Sequence, residues 1–162
     1  MAEALKQLLR PDLLVFLKTG EEAYHLMGMG LEEQVLSMNP KSDTKGYIHQ
    51  TNSNTSVYGY EAQLNAPQEG WKGVPVFDWI DEKAMKFAVG SDLETEVIIV
   101  RPYRENFATK HNAVAVINEV GGSHGEPLMT DYEVHLNGDP ILGTATVDLA
   151  EETATFTADL EA

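Results

Sequence analysis

The sequence predicts a mainly β fold: a two-sheet antiparallel β-sandwich with one flanking α-helix and one long polar loop. Three observations carry that expectation. The C-terminal stretches Thr130–Asn137, Thr144–Leu149 and Thr153–Ala158 alternate apolar and polar residues, the period of half-buried strands. Only one segment, around Phe77–Phe87, shows a helical stripe with helix-compatible ends. Gly, Pro and Asn clusters cut the rest into short pieces, as turns do.

Taken in order, Leu5, Leu8 and Leu9 stand at helical spacing ahead of Pro11, so residues 1–12 read as a short helix or an ordered N-terminal arm. Leu13–Lys18 is an apolar run that suits a strand. Gly20 breaks it, Ala23–Met27 resumes it, and Leu31–Met38 is a second strand after Gly28 and Gly30. The segment 39–55 is long and polar, with Pro40, Gly46 and the run Thr51–Thr55; such turn formers sit at or beyond the rim of a core. Ser56–Leu64 alternates, with Tyr58, Tyr60, Ala62 and Leu64 on one face. Pro67–Pro75 is a loop. The helix is placed at 77–88, with Phe77, Ile80, Ala84 and Phe87 as its apolar stripe. Asp78, Asp81 and Glu82 come early and Lys83 and Lys86 late, the order that the helix dipole favours. Gly90 is its stop. Strands follow at Leu93–Arg101, His111–Val120 and Thr130–Asn137, where Tyr132, Val134 and Leu136 face inward and Asp131, Glu133 and His135 outward. Asn137-Gly138-Asp139 is a hairpin signal. Ala145, Val147 and Leu149 face one way with Ala154, Phe156 and Ala158, and five threonines with Asp148 face the other. The sum is seven or eight strands in a single domain spanning 1–162.

Charge sets the limits on function. The chain carries 11 Lys+Arg against 26 Asp+Glu, a net −15. From His111 to Ala162, 52 residues hold ten acids and no Lys or Arg. Because this stretch reads as strands, the acids lie on a sheet surface, where they solubilise the chain, repel polyanions or await a basic partner. Phosphate binding through clustered Lys and Arg is excluded, as is a polybasic membrane patch. There is no cysteine, hence no disulfide framework, thiol catalyst or thiolate zinc site. The apolar run Leu13–Leu17 is too short for a signal-peptide core, and no stretch approaches the roughly 20 apolar residues of a membrane span. A soluble, unexported chain without membrane insertion is expected.

A search for catalytic or ligand chemistry yields no site residues: catalytic, cofactor-binding and metal-binding sets are all empty, and no enzyme activity is expected. His25, His49, His111, His124 and His135 do not pair at metal-ligand spacing. Gly121–Gly125 lacks the lysine of a phosphate loop and precedes a strand, so it reads as a flexible turn. Among 26 acids, a carboxylate pair at glycosidase separation arises by chance. Tyr58, Tyr60 and Trp71 suit a sugar-binding platform, but alternate tyrosines more often belong to a core face. Met27, Met29 and Met38 suit gap-filling core positions.

The order of parts is informative. Asn39-Pro40-Lys41, Lys45-Gly46-Tyr47-Ile48, Asn54–Tyr60, Val76–Asp81, and the ending from Asn137-Gly138-Asp139 through Gly143–Val147 to Ala154–Thr157 resemble the major tail tube proteins of long-tailed bacteriophages, in particular those infecting Gram-positive bacteria. The resemblance runs from about Leu13 onward and lies in arrangement, with no single sharp motif. It implies a structural protein of the virion tail, assembled in the host cytoplasm, that forms hexameric rings stacked into a hollow tube. It implies a tape-measure protein in the lumen, tail terminator and baseplate or distal tail proteins at the ends, and DNA passing through without specific binding. Long loops and terminal arms join ring to ring in that family. By position, the segment Asn39–Thr55, with Lys41, Asp43, Lys45, Tyr47 and Asn52, and the arm Ala2–Arg10 take those roles here. The outward acids Asp131, Glu133 and Asp148 are expected on or near the lumen wall. There they would repel DNA, which carries about one charge per 1.7 Å, over a range of about 8 Å. Competing readings are a tube protein of a contractile or secretion-type injection machine, a carbohydrate-binding module and a small acidic hydrolase.

Overall fold

The structure is a computed structural model that describes residues 4–20 and 23–159; Ala2 of the arm and Ala162 of the acidic stretch, named above, lie outside the described residues. The fold is mainly β and sandwich-like, with one α-helix. Its strands are β1 (Leu14–Lys18), β2 (Tyr24–Leu26), β3 (Val35–Ser37), β4 (Pro40–Lys45), β5 (Asn54–Tyr60), β6 (Gln63–Glu69), β7 (Glu94–Arg101), β8 (Phe107–Gly121), β9 (Met129–Asp148) and β10 (Thr153–Ala158), with helix α1 at Pro75–Met85 between β6 and β7.

All pairings are antiparallel. Eight strands form one sheet in the order β10-β2-β1-β7-β8-β9-β6-β3, and β10 also pairs with β9. That last pairing closes β9, β10, β2, β1, β7 and β8 on themselves, which hides edges that would otherwise invite aggregation. The sequence places two apolar clusters on the two faces of this sheet. Phe16, Ile98, Val100, Ala108, Ala145 and Ala154 fill the closed part. Val15, Leu17, Leu64, Val97, Ile99, Tyr132 and Val134 lie on the other face, with Val76 and Ile80 of α1 packed over them. β1 and β7 therefore bury both faces. That is why Leu13–Leu17 and Val97–Val100 read as continuous apolar runs without alternation.

Tyr132 ties the second cluster together. It is wholly buried, its hydroxyl donates to Gln68 Oε1 at 2.8 Å, and Gln68 Nε2 donates to the Met29 carbonyl at 3.0 Å. The chain that carries Met29 is thus held against β6 and β9. Tyr132→Ala opens a cavity and strands Gln68, an expected cost of about 3–5 kcal/mol. At 2–4 °C per kcal/mol for a chain of this size, thermal melting should show a fall of roughly 6–20 °C.

Several sequence expectations need correction. Residues 4–9 form no helix, and Leu5, Leu8 and Leu9 are exposed. The predicted second strand shrinks to Val35–Ser37, with Leu31 making only an isolated bridge to Gln68. The segment 39–55 is not an irregular loop: it supplies β4 and the start of β5, a two-stranded sheet of its own. The single strand Ser56–Leu64 is broken at Glu61–Ala62 into β5 and β6, and Tyr58 and Tyr60 are exposed. α1 starts at Pro75, two residues ahead of the predicted 77, because proline is preorganised for the first helical position. Phe87 lies beyond the helix and is exposed, as are Leu149 and Ala158.

The largest correction concerns Asn137-Gly138-Asp139. The chain does not reverse there. β9 runs through as one strand, with Asn112 opposite Asn137 and Lys110 opposite Ile141. Two steps in β8 therefore face four in β9, a bulge that Gly138 accommodates at φ 71°. The bend lets β9 pair with β6 over Met129–His135 and with β10 over Gly143–Asp148. One strand thereby serves both clusters.

Candidate functional site

Two surface features hold the residues singled out by the sequence, Asp148 excepted. The first is the β4–β5 hairpin. Its register pairs Lys41 with Gly59, Asp43 with Ser56, Thr44 with Thr55 and Lys45 with Asn54. β-branched Thr44 and Thr55 are cross-strand partners whose hydroxyls bond at 2.9 Å. Lys45 Nζ sits 3.7 Å from Asp43 and Lys41 Nζ 3.0 Å from Glu61. Asn39 and Glu61 close its base: the Glu61 N–H donates to the Asn39 carbonyl at 3.2 Å, and Asn39 Nδ2 donates to the Glu61 carbonyl at 3.1 Å. At the tip, Tyr47 and His49 stack and Ile48 is fully exposed. Asn52 lies in the bend before β5. All of β4 and all of β5 except Gly59 are exposed. Neither face of the hairpin rests on the core, and a lone two-stranded hairpin is marginal in water.

The second feature is the outward face of β9 before the bulge. Asp131 lies opposite Pro67 and Glu119; Glu133 lies opposite Asn65 and Val116. Glu69, opposite Met129, shares the face by register. Asp131 and Glu119 are exposed, and Glu133 is half-buried with its Oε2 3.1 Å from His135 Nε2. Neither β6 nor the part of β8 and β9 that forms this face contains a Lys or Arg. Like charges directly opposite each other cost stability, so this face is not arranged for the stability of a lone subunit.

Asp148 does not join them. The alternation places it with Thr144 and Thr146, opposite in sense to Ala145 and Val147, which pack with the cluster inside the closed strands. Its Oδ1 accepts the N–H groups of Ala150 at 3.1 Å and Glu151 at 3.2 Å, capping the turn before β10. Local turn chemistry explains this acid.

One charged cluster escaped the sequence reading. Glu96 of β7 accepts a hydrogen bond from the Tyr24 hydroxyl, and its Oε2 lies 3.6 Å from Lys18 Nζ and 3.5 Å from Lys110 Nζ. Burial works to raise the Glu96 pKa, but the Tyr24 hydrogen bond and the two ammonium groups outweigh it, and the net shift is downward. Burial first, then Glu96 itself, push the Tyr24 phenol up. The parity of β1, β7 and β8 was the available signal: Lys18, Glu96 and Lys110 occupy adjacent strands on one face. A carboxyl lowered by folding stabilises above its unfolded pKa, about 4.3, and that contribution vanishes as pH falls through the folded value. Glu96→Gln is expected to cost roughly 1–3 kcal/mol at pH 7. The gap in melting temperature between parent and variant should narrow as pH falls below the unfolded value of about 4.3 and close as Glu96 itself becomes protonated in the folded chain.

Among the described residues, no group of three or more His, Cys, Asp or Glu is placed to hold a metal. His25 and His111 instead bond Thr19 and Thr109. Tyr58 and Tyr60 precede β6 while Trp71 follows it, so the length of β6 separates them and no continuous aromatic platform forms. No helix among the described residues is long and apolar enough to cross a membrane.

No family model matches the chain, and no curated protein matches it. Among solved structures, it is similar to a chain in the tail of an empty GTA particle computed with helical refinement and C6 symmetry. The TM-score is 0.62 at 14% identity, covering 86% of this chain and 100% of that one. At that identity the likeness is one of architecture: this chain has the fold of a subunit from a six-fold, helically ordered tail.

Proposed function

We propose that the chain is a structural protein that polymerises as stacked hexameric rings into a hollow tail tube, an acidic conduit for DNA. The observation that carries this reading is the exposed β4–β5 hairpin. It has paired strands, an apolar tip and no core beneath it, so its covering surface belongs to another copy. The fold shared with a chain of a C6 helical tail supports the same arrangement. The hairpin, with Lys41, Asp43, Lys45, Tyr47 and Asn52, is the ring-to-ring element. The wall facing the DNA is the acidic face with Asp131 and Glu133, joined by Glu69 and Glu119. A tape-measure protein before ejection, and terminator and baseplate or distal tail proteins at the ends, complete the partner set. Assignment to long-tailed phages of Gram-positive hosts rests on the sequence resemblance.

Electron microscopy of the purified chain at high concentration tests the proposal. Uniform hollow filaments with a regular ring repeat are expected. Dispersed monomers at every concentration, in the presence and absence of a crowding agent, would overturn it.

A further inference from the structure

The turn signal Asn137-Gly138-Asp139 makes no turn, and the chemistry of its first two residues remains. β9 is paired along nearly its whole length of 20 residues: with β6 as far as His135, with β8 as far as Asn137 and again from Ile141, and with β10 from Gly143. Gly138, Asp139 and Pro140 stand opposite no residue in any of these registers. The unpartnered stretch of the strand therefore begins at the carboxyl side of Asn137. Asn137 and the three residues after it are all exposed.

An asparagine followed by glycine can modify itself. The backbone nitrogen of the glycine loses its proton and attacks the side-chain carbonyl carbon Cγ. A new C–N bond closes a five-membered imide, the bond to Nδ2 breaks, and ammonia leaves with the proton. Water then opens the ring. Attack at the main-chain carbonyl leaves isoaspartate, with the chain running through Cγ; attack at the other carbonyl leaves aspartate. One water enters, one ammonia departs, and nothing is oxidised or reduced. The reaction needs an unhindered nitrogen, a side-chain amide free to turn, and a backbone that no ladder holds extended.

All three conditions meet at Asn137. Gly138 carries no side chain, and no atom beyond its chain neighbours lies within 4 Å of the place a Cβ would take. Its φ of 71° lies in the left-handed region, which glycine enters and leaves without steric cost. The amides of Asn39, Asn54 and Asn65 are tied to Glu61, Gln50 and Gln63, and Asn137 has no such bond among the described residues. None of the other seven asparagines precedes glycine, and Asn39 precedes Pro40, which has no N–H to attack with.

We propose that Asn137 is a self-modification site: the folded chain converts Asn137-Gly138 to isoaspartate through the imide, with no enzyme, where β9 lacks a partner. The product adds one carbon to the main chain and one negative charge to the net −15. The added length falls in the bulge, where four steps of β9 already face two of β8, so both halves of β9 keep their registers. The new carboxylate joins the row Glu96, Asn112 and Asn137 across β7, β8 and β9. The inference does not depend on the tube reading.

The full chain, kept folded in mildly alkaline buffer, is compared over time with the same chain in denaturant. Peptide mass mapping reads the change from amide to acid, and methyl transfer from S-adenosylmethionine by an isoaspartyl methyltransferase counts isoaspartate. Conversion of Asn137 ahead of every other asparagine is expected, at a rate within about tenfold of that in denaturant, the factor that an opening cost of about 1.4 kcal/mol would impose. A larger lag, or earlier conversion of another asparagine, would refute the proposal, because the bulge would then hold the amide as a ladder does. Aspartate without isoaspartate would show direct hydrolysis and remove the imide route. Asn137→Gln keeps an amide at the position but requires a six-membered ring, so the methyl-transfer signal should vanish. A signal that persists in that variant would place the reaction elsewhere.

Discussion

Replacing Pro40–Tyr60 with a short glycine linker is expected to abolish polymerisation while the subunit keeps its fold. No residue of that segment is buried, and its two strands pair only with each other. The base, where Asn39 and Glu61 exchange two hydrogen bonds, already brings the ends together, so β3 and β6 stay in register. Neither apolar cluster contains a residue of this segment, so the melting temperature is expected to stay close to that of the parent. Assembly is another matter. Burying Ile48 and Tyr47 of the tip would contribute about 1.5–3 kcal/mol each, and every 1.4 kcal/mol is tenfold in association. Tyr47→Ser with Ile48→Ser should therefore raise the critical concentration by about two to four orders of magnitude. Sedimentation and microscopy read both variants. Tubes of normal length from the hairpin replacement would show that the hairpin does not join subunits.

Much of the architecture is legible in local pattern, and the failures share a cause. Period-two alternation finds β9 and β10 because each has one buried face, and continuous apolar runs find β1 and β7 because both faces are buried. Alternation does not say what covers a face. Tyr58 and Tyr60 alternate like core residues, yet β5 has no core beneath it. Asn137-Gly138-Asp139 carries the residues of a tight turn, and the same residues serve a bulge. The outcome depends on β6 and β10, far away in sequence, each claiming one half of β9. The acids divide in the same way. Composition shows the charge, but register decides that Asp131 and Glu133 share a face with Glu69 and Glu119 while Asp148 caps a turn.

Reversing the acidic face is expected to give tubes that hold DNA back. Asp131→Lys with Glu133→Lys changes each subunit by +4. If six subunits form a ring, as the C6 symmetry of the similar tail suggests, that is roughly +24 per ring. The Asp131 substitution should not harm the subunit, and Glu133→Lys gives up one part-exposed contact with His135. Asp131 is exposed and faces Glu119 across the strands, so exchanging a like for an opposite charge relieves about 0.2–1 kcal/mol of repulsion. Duplex DNA presents one charge per 1.7 Å, and the screening length is about 8 Å at physiological salt. A wall within that distance acts on every phosphate that passes. On the proposed reading the parent wall repels, and DNA would meet no binding minimum along its path. In the variant each lysine that meets a phosphate releases counterions, and retention falls with log salt at a slope of about 0.9 per contact. Ejection in low salt should slow by at least an order of magnitude and recover as salt rises. Asp131→Asn with Glu133→Gln, which removes charge without reversing it, should lie between. Normal ejection from tubes carrying the reversal would place this face on the outside of the particle, and the repulsive conduit would lose its wall.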